Sequence, residues 1–203
     1  IMIKAIVFDY GGVIELKDGD LIQEIADSLQ ITKEEWQEVY FTLNHLNNTG
    51  KKSWREVATI VAQKFNASDI QISFIQDLIN KYDQKRILNL ELIEIIKYLK
   101  KKNYKIGILS NYSITLREKL TRLNIIDLFD EVIISSEVGL QKPQPEIFEI
   151  VFNKLNIKNS EMIFIDDTKR SLDGAENIGY VPVLYTSNKT LKSELSDILD
   201  IEV

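Results

Sequence analysis

The feature that most constrains this chain is a pattern used three times: a short, mainly apolar run that halts on polar residues. Ala5-Ile6-Val7-Phe8 stops at Asp9 and turns through Tyr10-Gly11-Gly12-Val13. Tyr104–Leu109 ends in Ser110-Asn111, and Met162–Ile165 ends in Asp166-Asp167. Runs of this length are too short for helices and read as strands buried on both faces. A polar residue directly after such a strand is held at the carboxyl edge of a sheet, where ligands of open α/β sheets bind. Two glycines after Asp9 let the backbone bend tightly and approach whatever the carboxylate serves.

The rest of the chain supplies the helices that a parallel sheet needs. Ile14–Asp20, with its Asp18-Gly19-Asp20 turn signal, reads as a small flap over the first strand end. Three capping boxes follow, Thr32 with Glu35, Ser53 with Glu56 and Ser68 with Gln71. Each starts a helix by exchanging side-chain and backbone hydrogen bonds. Amphipathic stripes Leu21, Ile22, Ile25, Ala26, Leu29 and Ile72, Phe74, Ile75, Leu78, Ile79 complete about four helices with no strand between them. From Leu88 the pattern alternates: helix Leu88–Lys102, strand Tyr104–Leu109, helix Ile114–Leu123, strand Glu131–Ile134 and helix Pro145–Leu155. Strand Met162–Ile165, helix Lys169–Ile178 capped by Gly179, strand Val181–Tyr185 and helix Thr190–Leu199 complete it. The expected fold is α/β: a doubly wound, mainly parallel sheet. Residues 1–14 and 86–203 form its core, and 15–85 a helical cap inserted after the first strand, with connections near 13–15 and 85–88.

Composition narrows the function. With 25 basic and 31 acidic residues the net charge is −6, which disfavours nucleic-acid binding and a basic membrane patch. No apolar run approaches the ~18 residues of a membrane span. The start of the chain lacks the charged-then-apolar pattern of a signal peptide, so cytoplasmic is the default expectation. The absence of cysteine excludes disulfides and thiolate chemistry. Oligomeric state has no sequence signal.

The pieces that meet at the sheet edge are Asp9, Ser110-Asn111, Asp166-Asp167 and Lys142, the last in Gly139-Leu140-Gln141-Lys142-Pro143-Gln144-Pro145. The prolines stiffen that loop and fix where the lysine points. Three carboxylates without a neighbouring histidine suit a hard cation such as Mg²⁺, and a lysine and hydroxyl beside it suit a phosphoryl group. Backbone N–H groups in the glycine turn and after Ser110 would offset the charge that metal and lysine leave.

These residues, in this order, resemble the haloacid dehalogenase superfamily in its helical-cap branch, over essentially the whole chain. Asp9-Tyr10-Gly11-Gly12-Val13 stands where the family reads Asp-x-Asp-Gly-Thr/Val, Ser110 matches the second motif, Lys142 the third and Asp166-Asp167 the fourth. The resemblance implies a Mg²⁺-dependent phosphatase acting on a small phosphorylated metabolite through an aspartyl-phosphate on Asp9. Asp9 and Lys142 would be catalytic, and Ser110, Asn111 and Lys142 would hold the phosphate. Asp9, the Gly11 carbonyl and Asp167 would ligate the metal, with Asp166 acting through a bound water.

One position departs from the motif. The aspartate that protonates the leaving oxygen in the family is Gly11 here, and such acid–base help is worth ~10²–10⁴-fold in rate. A phosphate- or metabolite-binding protein with impaired turnover is therefore the alternative class. A haloacid dehalogenase is a poorer match, since its tyrosine belongs where Gly11 stands and Tyr10 is one position away. Glu15 in the flap, or an acid on the substrate itself, is the nearest replacement. Elsewhere Trp36, Tyr40 and Phe41 read as cap core, His45 as a surface or structural residue, Asp173 as an exposed helix position and Lys100–Lys102 as a solvated helix end.

Overall fold

The computed structural model describes residues 2–202; positions 1 and 203, the outer limits of the expected core, lie outside the described residues. Five strands form one sheet: β1 (Ala5–Phe8), β4 (Lys105–Ser110), β5 (Glu131–Ile134), β6 (Met162–Asp166) and β7 (Val181–Leu184). Their order is β5-β4-β1-β6-β7 and every pairing is parallel. Because side chains alternate across a strand, Ile6, Phe8, Ile106, Ile108, Ile163 and Ile165 feed one apolar layer. Ala5, Val7, Leu109, Ile133, Met162 and Phe164 feed the other. The first layer is covered by α5 (Leu90–Lys101), α6 (Leu116–Arg122) and α10 (Asn188–Leu199), the second by α8 (Pro145–Leu155) and α9 (Ala175–Ile178). The sheet is thus doubly wound, as expected.

Between β1 and the next sheet strand lie α1 (Leu21–Leu29), α2 (Lys33–Asn48), α3 (Trp54–Lys64) and α4 (Asp69–Gln84). All three capping boxes form, with both reciprocal bonds present at Thr32, Ser53 and Ser68. These helices bury a cluster of their own around Trp36, Ile25, Val61, Ile75 and Ile79. Both tryptophans of the chain, Trp36 and Trp54, lie in this unit. The expected stripe on α4 is narrower than the sequence suggests, since Phe74 is 48% exposed.

The two connections to this unit are paired with each other. β2 (Glu15–Leu16) runs antiparallel to β3 (Ile87–Leu88), with Glu15 opposite Leu88 and Leu16 opposite Ile87. The helix expected from Leu88 therefore starts at Leu90, after Asn89, whose side chain caps it by accepting from Leu92 N–H. Asn89 also donates to the Val13 carbonyl and the Tyr185 hydroxyl, which locks the connector to the sheet. Two further differences have local causes. The helix expected over Lys169–Ile178 is a 3₁₀ turn at Lys169–Leu172 followed by α9, because Gly174 takes a left-handed φ of 81° between them. A short helix, α7 (Ser135–Val138), follows β5 and ends at Gly139 in the left-handed region. No helix among the described residues is long and apolar enough to cross a membrane.

Phe148 is fully buried, stacked on Tyr180 at 4.8 Å and edge-on to Phe164 at 5.5 Å. Phe148→Ala removes this ring from a layer that cannot close around the void and should cost about 3–5 kcal/mol. Urea unfolding followed by circular dichroism measures it; a loss below about 1 kcal/mol would show that the layer repacks.

Candidate active site

Strand register decides which residues meet. Phe8 is level with Ile108 on one side and Ile165 on the other, so the next residues, Asp9 and Asp166, stand side by side. The Asp9 N–H donates to the Ile165 carbonyl at 2.8 Å. Both carboxyl groups are buried, Asp166 completely. The Lys142 ammonium reaches between them, 2.9 Å from Asp9 Oδ1 and in direct contact with Asp166 Oδ2. It is itself 5% exposed and lies over the Phe164 ring. Burial alone would lower its pKa, but Asp9 and Asp166 outweigh that and hold the ammonium above its ordinary range. Burial pushes the Asp166 carboxyl up to about 6; Lys142 opposes the rise and the Asp9 charge adds to it. Asp167 is also raised, by burial first, against Lys17.

The loop that delivers Lys142 is fastened by Asn111. Its side-chain oxygen accepts from Lys142 N–H at 2.9 Å and its amide donates to the Lys142 carbonyl at 3.2 Å. The Asn111 side chain, expected at the phosphate, holds the lysine's backbone and also lines the cavity that Asp9 and Lys142 line. Ser110 sits buried at the end of β4 and lines the same cavity as Asp9 and Lys142. Asp166 Oδ1 accepts from Thr168 N–H at 2.8 Å, so both its oxygens have partners, while Asp167 accepts from the Thr168 hydroxyl at 3.2 Å.

The two glycines after Asp9 do different work. Gly12 has φ of 95°, and a Cβ there would lie 2.1 Å from Asp167 Oδ2. Only glycine lets the turn adopt this backbone and admit that carboxylate. Gly11 has neither constraint: its φ is not left-handed and a Cβ would meet nothing within 4 Å.

Oxygens of Asp9, Asp166 and Asp167 lie within 4.8 Å of one another. Asp9 Oδ1 is buried and, despite the nearby ammonium, accepts no well-directed hydrogen bond. Three carboxylates with a single buried lysine fit a divalent cation with oxygen preference. Asp9 and Asp167 are the residues with coordination to spare.

Around this centre opens a cavity of about 1010 Å³. One side of it is a face of α2, Gln37, Tyr40, Phe41, Asn44, Asn47 and Asn48. Trp36 is core, as expected, and Tyr40 packs against that core, but Tyr40 and Phe41 also face the cavity. Phe41 lies under the Arg170 guanidinium at 4.6 Å, and Asn48 donates to Gln141 beside Lys142 at 2.9 Å. The polar residues at matching helical spacing, Gln37 and Asn44, were the signal that this stripe is not purely core. His45 and Asp173 are exposed. Lys100 is not merely solvated, for it donates to the Asp127 and Leu128 carbonyls. Glu15 is 3% exposed and saturated by Tyr10, Arg86 and Lys119, and it is not among the cavity-lining residues.

The family model described as haloacid dehalogenase-like hydrolase matches residues 6–184. The chain belongs to that family. Among curated relatives it is 38% identical over 95 residues to a glyceraldehyde 3-phosphate phosphatase of Methanothermobacter thermautotrophicus, covering 45% of this chain and 42% of that protein. The chain thus spans about half the length of the curated relatives it matches. The haloacid dehalogenase-like fold is also that of a predicted HAD-like hydrolase from Porphyromonas gingivalis (TM-score 0.68, 22% identity, 98% of each chain). It recurs in a HAD family enzyme of Bacteroides thetaiotaomicron solved with magnesium and inorganic phosphate (TM-score 0.62, 22% identity, 92% of this chain and 96% of that one).

Gly12→Ala should leave the sheet folded but displace Asp167, lowering divalent-cation affinity by about 10-fold or more. Calorimetric Mg²⁺ titration of the variant and parent measures this. Equal affinities would show that Asp167 is not needed for the ion.

Proposed function

We propose that this chain is a Mg²⁺-dependent phosphatase for small phosphorylated metabolites. The observation that carries the reading is the convergence of Asp9, Lys142, Asp166 and Asp167 at the edge of a large cavity. The phosphatase named among its relatives supports it. A bound Mg²⁺, held by Asp9, Asp167 and the Gly11 carbonyl with Asp166 behind, would neutralise charge and let two anions meet. The chain's own residues do the rest. A carboxylate oxygen of Asp9 forms the bond to phosphorus while the bond to the leaving oxygen breaks, giving an aspartyl-phosphate. Lys142 orients Asp9 and, with Ser110, holds the phosphoryl oxygens; Asn111 acts through Lys142 by fixing its backbone. Water then attacks phosphorus, releasing inorganic phosphate and restoring the Asp9 carboxylate.

Asp9→Asn keeps the size of the side chain and removes both nucleophile and anionic ligand. Phosphate release from an aryl phosphate should fall by at least ~10³-fold, to background, with unchanged circular dichroism. Activity near the parent level rejects the mechanism, as would equal rates with Mg²⁺ and with a chelator.

Gly11 favours a second reading, a binding protein with feeble turnover, because no side chain there gives the leaving oxygen a proton. The two readings separate by leaving group. A nitrophenolate departs unprotonated, whereas an alkoxide needs an acid, so aryl phosphates should be hydrolysed far faster than alkyl ones. A Cβ at Gly11 meets nothing within 4 Å and the backbone there is not left-handed, so Gly11→Asp should raise alkyl-phosphate turnover by about 10²-fold or more. A parent that cleaves both classes equally well draws its proton from elsewhere. One that binds phosphate but cleaves neither is the binding protein.

A further inference from the structure

An unbroken run of ion pairs crosses from the four-helix unit to the sheet. Arg55 on α3 lies 3.1 Å from Asp83 on α4, and Asp83 lies 3.2 Å from Arg86 in the second connector. Arg86 is 3.0 Å from Glu15 in the first connector, and the Lys119 ammonium on α6 also binds Glu15. The run begins and ends on a cation, three against two, and so keeps one positive charge. Its sheet end is fixed in place: Lys119 Nζ is 3.5 Å from the Tyr112 hydroxyl and sits over the Tyr10 and Tyr112 rings at 5.5 and 6.0 Å.

Lys119 lines the cavity, and so does Arg122, one turn further along the same helix. Residues three apart on a helix are neighbours. Arg122 has no ion-pair partner among the described residues, and neither does Glu118, which also lines this wall. Of the residues that line this wall, four are cations (Arg55, Arg86, Lys119 and Arg122) and two are anions (Asp83 and Glu118), in a chain whose total is −6. A cavity of about 1010 Å³ also holds much more than a phosphate group.

We propose that Lys119 and Arg122 form a second anion subsite, so that the substrate is a phosphate monoester carrying a carboxylate or a second phosphate. This deepens the phosphatase reading and rests on it. A held, partly buried ammonium makes a charge-assisted hydrogen bond without first losing side-chain freedom. Beside it, the exposed guanidinium offers a fork that matches a carboxylate or a phosphate.

The test compares matched pairs: phosphoglycerate against glycerol phosphate, and a hexose bisphosphate against a hexose monophosphate. The parent should prefer the doubly anionic member by about tenfold or more in kcat/KM. Arg122→Gln and Lys119→Met should each reduce that preference several-fold, through KM rather than kcat. Which pair shows the larger preference distinguishes a carboxylate from a second phosphate. A parent that treats both members of each pair alike overturns the proposal, as do variants that change both members equally, which is the mark of a purely structural ion pair. If the parent releases phosphate from none of the four, the phosphatase reading stands or falls separately, on the aryl phosphate. Calorimetric affinities of parent and variants for the same compounds then decide the subsite: tighter binding of the doubly anionic members, lost in the variants, supports it, and equal binding overturns it.

Discussion

Two buried carboxylates side by side, with one ammonium between them, set the terms for the whole edge of this sheet. Asp9 and Asp166 are adjacent because β1 and β6 pair in parallel and end at the same level. Neither could be buried as an anion beside the other without Lys142, since like charges at this range in a poorly solvated site repel strongly. The lysine in turn depends on a loop with no regular structure, held by Asn111 from the end of β4. Three strand ends and one loop therefore stand or fall together. Lys142 and the more exposed Lys17, 3.9 Å from Asp167, do not neutralise three carboxylates, and what remains is a negative pocket suited to a small hard cation.

The same economy of position governs the four-helix unit. It buries an apolar cluster of its own, separate from the two layers on the sheet. Its placement over the site depends on the paired connectors β2 and β3 and on a few contacts such as Asn48 to Gln141. Buried ion pairs are weak evidence for stability, since desolvation offsets their attraction. Glu15, saturated by three donors from three parts of the chain, instead fixes how the connectors meet the sheet.

Much of this was legible in the residues themselves. Apolar runs that stop on Asp9, Ser110 and Asp166 identify strands and their functional ends, because a parallel strand buried on both faces has little alternative composition. The capping boxes mark α2, α3 and α4 because their bonds are local. Features decided by distant partners were not legible. Two-residue strands have no periodicity, so β2 and β3 are invisible until they pair. Gly174 interrupts what reads as one helix, and nothing in Asn111 distinguishes a phosphate ligand from a clamp on Lys142. On α6, Lys119 and Arg122 carry the same charge a solvated helix face would carry; only the cavity beside them gives those charges a direction.

The placement of the tryptophans has a practical consequence. Trp36 is sealed in the interior of the four-helix unit, Trp54 stands on the cavity wall, and the sheet has neither. Indole emission from the unaltered protein thus originates wholly on one side of the cleft. Its two sources differ in kind: one senses the integrity of a core, the other the contents of a cavity. The molecule carries a built-in optical probe of its four-helix unit, and no dye or label is needed to watch that unit respond to a ligand.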